Sequence, residues 1–484
     1  FFTLIAGLAA NLFMSWYGKS ELIIMALISL IWLLIVITRD WRRVIGFSAL
    51  FILLSGVEFL NPFNSVYLKT ELYADKFIFN NVISTVTEAI RLDIRESLYR
   101  LTGSVFLGVI CIIGILIWAV RHPVIAVAYG PLASFAILNL FIGNRAGMYS
   151  APFFWFGGAY LAVLLVRFGV NHFSLKLGNL TQNVNIISSA TVCALLLSFV
   201  WMKGPINQVK EPSIPVPIIK AMSAMKSIAG QEESVMASWW DYGYASMLFN
   251  GLPTFTDPGQ HQNYNNYFIA DALLSNNQSQ SADTLRFLAR GGLLEMRANV
   301  ANLANRAELN QKIRDGRNLP SPTVYLMLTD QMTSWMSSIS KIGRWDIDLG
   351  VPIVAKGHKP GQQLTYNFLN CADTKTKGIL ECNNSIVNLN EGKINGNPVL
   401  NLVAEARGGR LVGSKGYRKS ELNMFQIMRD SQGQTAKVAI IHADLFFSTF
   451  NQMFHLGRYD IKNFKLVYDG YPNVRIFKLL PVSE

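Results

Sequence analysis

Charge is spread along this 484-residue chain in two regimes. Residues 1–203 hold 22 charged side chains, 14 basic and 8 acidic, whereas the remaining 281 residues hold 52. The second density is that of an ordinary soluble domain, and the first is far below it. The split excludes a single globular domain, a fully membrane-embedded chain and a disordered one. Each part supplies half of the net charge of +12, so no basic domain stands out and nucleic acid is not an expected partner. Phe1 opens inside an apolar run with no Met and no signal-peptide n-region, which reads as a piece of a longer protein.

Six full apolar runs and a truncated seventh fill the sparse part, near Phe2–Tyr17, Leu22–Thr38, Val44–Leu60, Ser104–Val120, Pro123–Gly143, Met148–Val166 and Ile186–Met202. Each is close to the ~20 residues that cross a bilayer. Arg39, Arg42 and Arg43, then Arg121, then Arg167 and Lys176 occupy alternate short loops, which the positive-inside rule assigns to the cytoplasm. Segment 61–103, the turn at Asn144–Arg145 and everything after Lys203 are then external, periplasmic in a Gram-negative bacterium.

The expected fold is therefore a polytopic α-helical membrane bundle over residues 1–203 with a long external loop at 61–103. An extracytoplasmic domain of mixed α/β type follows over 204–484, β-rich in its C-terminal part. A 43-residue loop is longer than a mere connection needs, and Asn81–Arg100 is expected as an amphipathic helix lying on the membrane. In the outer part, Ile218–Ala229, Asp271–Gly292, Leu293–Asp315 and Gln331–Lys341 read as helices. Ser234–Ser238, Pro322–Leu328, Val438–His442 and Val474–Leu479 read as strands. Cys111 and Cys193 are packing residues inside apolar runs. Cys371 and Cys382 lie close together on the oxidising side, where a disulfide and two free thiols are both open.

The most specific feature is Trp239-Trp240-Asp241-Tyr242-Gly243. Two indole N–H donors beside a carboxylate make a compact site for a hydroxyl: the indoles donate to its oxygen and Asp241 accepts its proton. Flanking rings exclude water and so strengthen those bonds. The plain alternative is a buried aromatic cluster with Asp241 as a turn residue.

On this motif the chain resembles the catalytic subunit of oligosaccharyltransferase, above all the bacterial single-subunit, PglB-type form. The resemblance covers the chain from its first apolar run to its end, including Met453-Phe454-His455-Leu456-Gly457-Arg458-Tyr459-Asp460. It implies a membrane part of glycosyltransferase C type and an enzyme acting as a monomer in the bacterial inner membrane. Its partners are a lipid-pyrophosphate-linked oligosaccharide and acceptor polypeptides with an N-x-S/T sequon, and its cofactor is a divalent cation, Mn²⁺ or Mg²⁺. The glycan passes to the asparagine amide with inversion at the anomeric carbon.

The resemblance also assigns residues. Trp239, Trp240 and Asp241 read the sequon Ser or Thr. Thr85-Val86-Thr87-Glu88 matches the T-x-x-E element of the external loop, whose glutamate, here Glu88, serves the metal and the acceptor amide; T-x-x-E is otherwise a capping box. Arg145, in Asn144-Arg145-Ala146-Gly147-Met148-Tyr149-Ser150-Ala151-Pro152, matches the arginine that reads an acidic residue two places before the acceptor, a bidentate pairing suited to guanidinium. A snorkelling interfacial arginine is the alternative. Met336-Ser337-Ser338-Ile339 fits M-x-x-I, whose apolar side chains pack on the acceptor; Met332, Trp335, Met336 and Ile339 equally form a core stripe.

Asp346-Ile347-Asp348 is read as a turn, because the family's catalytic and metal-binding aspartates belong to the N-terminal membrane part and would precede Phe1. Glu381-Cys382-Asn383-Asn384-Ser385 itself fits acidic-x-Asn-x-Ser. Asn383 is thus a candidate for self-glycosylation where the segment is flexible, and a Cys371–Cys382 disulfide would oppose that. Two other readings stay open: another polytopic glycosyltransferase with a lipid-linked donor, or a membrane-anchored binding module or inactive fragment lacking the aspartates.

Overall fold

In the computed structural model, strand Thr323–Thr329 anchors the outer unit. Its sequence, Thr-Val-Tyr-Leu-Met-Leu-Thr, lacks the alternation of a half-exposed strand, and all but its first residue are buried, as expected of a strand covered on both faces. The structure describes residues 73–74, 77–80, 82–85, 93–129, 144–172, 212–259, 264–359, 362–376, 378–383, 385–417 and 423–482. They divide into two compact units: one takes the described residues of 93–172, the other those of 73–85 and 212–482.

In the outer unit, Thr323–Thr329 pairs in parallel with Ser234–Ala237 and antiparallel with Val474–Leu479, which pairs in turn with Phe464–Gly470. This four-stranded sheet carries the helices Val216–Ala229 and Gln278–Ala301. Helix Val216–Ala229 follows the proline-rich linker and buries Ile218, Ala221, Met222, Met225 and Ala229, a three-and-four spacing that faces one side to the core. The region expected as two helices over 271–315 forms three, Asn265–Leu274, Gln278–Ala301 and Arg306–Asp315. The side chains of Asn277 and Asn305 accept backbone N–H bonds and so start the second and third.

The C-terminal part is β-rich. One five-stranded sheet runs in the order 410–416, 402–407, 423–429, 435–442 and 367–369. A second is a meander from Cys371–Asp373 through Ile379–Cys382 and Ser385–Asn388 to two short strands. Leu380, Val387, Val403, Phe425, Ile427 and Val438 fill a small core of their own, separate from the large one under the four-stranded sheet. Cys371 and Cys382 are directly paired across the meander and joined by a disulfide, with Cα atoms 4.0 Å apart. Asp346 makes the expected turn: its carboxylate accepts from the N–H groups of Asp348 and Leu349, both at 3.0 Å.

In the other unit, Val105–Arg121 and Asn144–His172 cover much of the apolar runs at 104–120 and 148–166. They meet on glycine, since a Cβ on Gly114 would collide with the Gly157 carbonyl and one on Gly157 with the Cys111 carbonyl. Among the described residues no single helix is long and apolar enough to cross a membrane; the pair Ile94–Thr102 and Val105–Arg121, bent by 85°, passes that test together. The runs at 2–17, 22–38, 44–60 and 186–202 lie outside the described residues, as does 130–143.

The amphipathic helix expected over 81–100 is corrected. The segment holds a short 3-10 turn, Val82–Thr85, and a separate helix that starts only at Ile94. Asp93 is the physical reason for that start: its carboxylate accepts from the Glu96 N–H at 2.7 Å and caps the helix there.

Candidate functional site

The motif is the exit of a buried strand. Ser234–Ala237 delivers Trp239 in extended conformation, and Trp240–Tyr242 then make one 3-10 turn closed by the Tyr242 N–H donating to the Trp239 carbonyl at 3.1 Å. Gly243 begins the next helix, Gly243–Phe249. A Cβ there would strike the Thr256 carbonyl and the Asp257 side chain, so glycine is what lets the 251–259 loop pack against the turn. Met236 and Pro253 hold that loop to the strand by an N–H to carbonyl bond of 2.9 Å.

Trp239 is buried, whereas Trp240 and Asp241 are half-buried and border the surface. Burial pushes the Asp241 carboxyl up to about 6, and among the described residues no cation is close enough to reverse the shift. A partly desolvated carboxylate without an ion pair, directly after two tryptophans, retains its capacity to accept a hydroxyl proton.

Tyr242 is wholly buried, and its hydroxyl lies 2.7 Å from Thr329 Oγ1 and donates to Gln331 Oε1 at 2.8 Å. Its ring rests on Trp335 with centroids 5.5 Å apart. Thr329, Gln331 and Trp335 are site residues that sequence reasoning missed. The only local signal was Thr329 before a helical run, where its hydroxyl caps Asp330–Ser334.

The helix read over 331–341 is in fact two, Asp330–Ser334 and Met336–Gly343, broken at Trp335. Met336 and Ile339 of the M-x-x-I element are fully buried in the large core. Gly343 closes against the Ala270 backbone of helix Asn265–Leu274. Residues 78–80 dock beside this helix. Asn80 Nδ2 donates to the Lys341 carbonyl at 2.9 Å, and Trp345 Nε1 donates to the Ile78 carbonyl at 2.8 Å. Phe79 lies among Tyr264, Tyr267 and Phe268. Thr85 ends the 3-10 turn that follows, its hydroxyl bonded to the Val82 carbonyl at 2.7 Å.

One unit thus brings together Trp239, Trp240, Asp241, Met336, Ile339 and Thr85. Glu88 lies outside the described residues, and Arg145 is in the first turn of helix Asn144–His172 in the other unit. Asn383 is exposed at the tip of the disulfide-linked hairpin. Among the described residues no cluster of His, Cys, Asp and Glu fits a metal ion.

Residues 232–349 match the STT3/PglB/AglB core domain, the stretch that holds the motif, the paired strands and the M-x-x-I helix. The undecaprenyl-diphosphooligosaccharide–protein glycotransferase of Campylobacter jejuni strain RM1221 is 24% identical over 432 residues, spanning 83% of this chain and 57% of that protein. The chain therefore covers little more than half the length of this curated relative. Two solved structures are also similar. The C-terminal domain of C. jejuni PglB has a TM-score of 0.42 at 19% identity, covering 54% of this chain and 98% of that one. The archaeal oligosaccharyltransferase AglB from Archaeoglobus fulgidus, solved with an inhibitory peptide and a dolichol-phosphate, has a TM-score of 0.44 at 13% identity, covering 88% and 44%. Residues 232–349 thus match the STT3/PglB/AglB core domain, and over most of its length the chain is similar to the C. jejuni glycotransferase.

Proposed function

We propose that this chain is the acceptor-reading part of an enzyme that transfers an oligosaccharide from a lipid-pyrophosphate donor to the asparagine amide of D/E-x-N-x-S/T sequons, with inversion at the anomeric carbon. One observation carries the reading: the half-buried Asp241, free of any ion pair among the described residues, directly follows Trp239 and Trp240 at the exit of a buried strand inside the matched core domain. The indoles of Trp239 and Trp240 donate to the oxygen of the sequon hydroxyl and Asp241 accepts its proton. The acceptor asparagine is thereby held while its nitrogen attacks C1 and the pyrophosphate departs. An amide nitrogen is a weak nucleophile because its lone pair is conjugated with the carbonyl, so orientation contributes heavily to the rate. Arg145 pairs with the acidic residue at the second place before the asparagine. Met336 and Ile339 support the acceptor pocket from the core.

The reading places the enzyme in the bacterial inner membrane as a single subunit, with the outer unit in the periplasm. Mn²⁺ or Mg²⁺ is the implied cofactor and would neutralise the departing pyrophosphate. The described residues supply no ligand cluster for it, and Glu88 lies outside them.

The test is glycan transfer by the full-length gene product to D/E-x-N-x-T and A-x-N-x-T peptides. Trp240→Ala is expected to lower kcat/KM by about 10²-fold, the loss of one or two desolvated hydrogen bonds and their packing. Arg145→Ala is expected to abolish only the preference for the acidic residue. Transfer insensitive to both substitutions would overturn the assignment of these sites.

A further inference from the structure

The fifth-position glycine of the motif has a packing reason, and its first three residues have a chemical one. Tyr242 has neither in the reading above, yet it is the best-connected residue of the turn. Its hydroxyl stands in a chain of bonds that runs in one direction. The Met332 N–H donates to Thr329 Oγ1 at 3.4 Å, the Thr329 hydroxyl lies 2.7 Å from the Tyr242 oxygen, and Tyr242 donates to Gln331 Oε1 at 2.8 Å. Because the tyrosine proton is committed to Gln331, the Thr329 proton points to Tyr242. The Gln331 amide is oriented in turn by its Nε2, which donates to the Ser213 carbonyl in the linker at 2.8 Å. Every proton in the chain has one place to go, and such directed chains strengthen each member.

The turn that carries Asp241 is three residues long and is tied at the backbone: the Tyr242 N–H donates to the Trp239 carbonyl at 3.1 Å and the Gly243 N–H to the Trp240 carbonyl. The neighbouring side chain, Tyr242, is fully buried and pinned at its far end. Pinning this side chain restrains the residue next to Asp241, and the carboxylate is bonded to its own backbone N–H, so the rotation of the turn and the aim of the carboxylate go together.

We infer that Tyr242, clamped by Thr329 and Gln331, is the positioning residue that aims Asp241 at the acceptor hydroxyl. This rests on the acceptor-reading function proposed above and adds to it two residues outside the motif. A role confined to folding would weaken all ligands alike. A role in aiming Asp241 weakens only those ligands that present a hydroxyl.

The experiment measures dissociation constants of fluorescent Asp-x-Asn-x-Thr and Asp-x-Asn-x-Val peptides on the full-length gene product, by anisotropy. Wild type is expected to prefer the Thr peptide. Tyr242→Phe is expected to lose about tenfold in affinity for the Thr peptide, the scale of one misdirected hydrogen bond, and less than twofold for the Val peptide. Gln331→Met, altered at a half-buried position, is expected to reproduce that pattern and carries the test where Tyr242→Phe does not fold. Equal losses for both peptides, or an unchanged Thr preference in both variants, would overturn the inference while leaving the acceptor reading intact. A wild-type protein with no Thr preference would overturn both.

Discussion

Asp241 shows how a residue's chemistry follows from its surroundings. Its carboxyl is pushed up from 3.8 to about 6 by burial, with no cation among the described residues to draw it back. Above that pH it is ionised and, in the role proposed for it, accepts the hydroxyl proton of the acceptor. Below it, the protonated acid is an added donor beside the indoles and accepts only through its neutral carbonyl oxygen, so the charge-assisted bond to the hydroxyl is lost. Affinity for a Thr sequon peptide is therefore expected to fall as pH drops through about 6, approaching tenfold per unit, and Asp241→Asn should bind weakly without that pH dependence. Peptide titrations between pH 5 and 8 check this; a flat wild-type profile would refute it. The stability sign is opposite. The folded state holds the proton more tightly than the unfolded chain, so this group's contribution to stability declines as pH rises from about 4 toward 6. The roles proposed for Trp239 to Asp241 were legible in the sequence because the motif is contiguous. The clamp on Tyr242 was not, because Gln331 lies 89 residues away and a lone Gln at the start of a helix carries no signal.

Among the elements, the hairpin Ile379–Cys382 and Ser385–Asn388 decides the fate of the chain's own sequon. Cys382 pairs with Ser385 in register, and Asn383, just after the first strand, has φ 45°. Asparagine tolerates that left-handed backbone better than most residues. Ser385, the hydroxyl residue of the sequon, already receives a bond from Asn395 Nδ2 at 3.1 Å, and the Asn383 N–H donates to the Asn370 carbonyl at 2.9 Å. The disulfide to Cys371 locks the strand that leads into the turn. A sequon so tied cannot offer its hydroxyl to Trp240 and Asp241 without opening the hairpin. We therefore expect Asn383 to be unmodified in the oxidised protein and self-glycosylated in a Cys371→Ser/Cys382→Ser variant. Mass spectrometry of the peptide containing Asn383, from cells with an active glycan pathway, distinguishes the two; equal occupancy in both would refute the locking role. The sequence offered the cysteines and the sequon but left the pairing open, since spacing alone does not establish that two strands run in register. A similar limit applied at Trp335: periodicity merged two short helices into one because it does not register a break at an apolar residue.

At the scale of the outer unit, the question is what joins the four-stranded sheet to the β-rich part. Strand composition indicated the α/β class, but not that Ala404, Ala406, Met424 and Met428 of the five-stranded sheet share the large apolar core, nor that a buried charge beside it has partners scattered along the chain. Arg475, on strand Val474–Leu479, is 1% exposed. Its guanidinium donates to the carbonyls of Gly409 at 2.8 Å and Phe454 at 2.7 Å, pairs with Asp469 at 2.9 Å, and lies over the Tyr471 ring. Gly409 turns the hairpin between strands 402–407 and 410–416 of a five-stranded sheet, and Phe454 belongs to the π-helical segment Asn451–His455. One side chain thus satisfies backbone carbonyls from two elements and a carboxylate from a third, strand Phe464–Gly470, and a charge this buried is tolerated because each of its nitrogens has a partner. Arg475→Met keeps much of the bulk but leaves two buried carbonyls and a carboxylate without their donor. Breaking such a site costs about 3–5 kcal/mol, which for a unit of this size lowers the melting midpoint by roughly 6–20 °C. Differential scanning fluorimetry of the purified variant checks this, and a shift below about 3 °C would show that the sheets are held together by apolar packing alone.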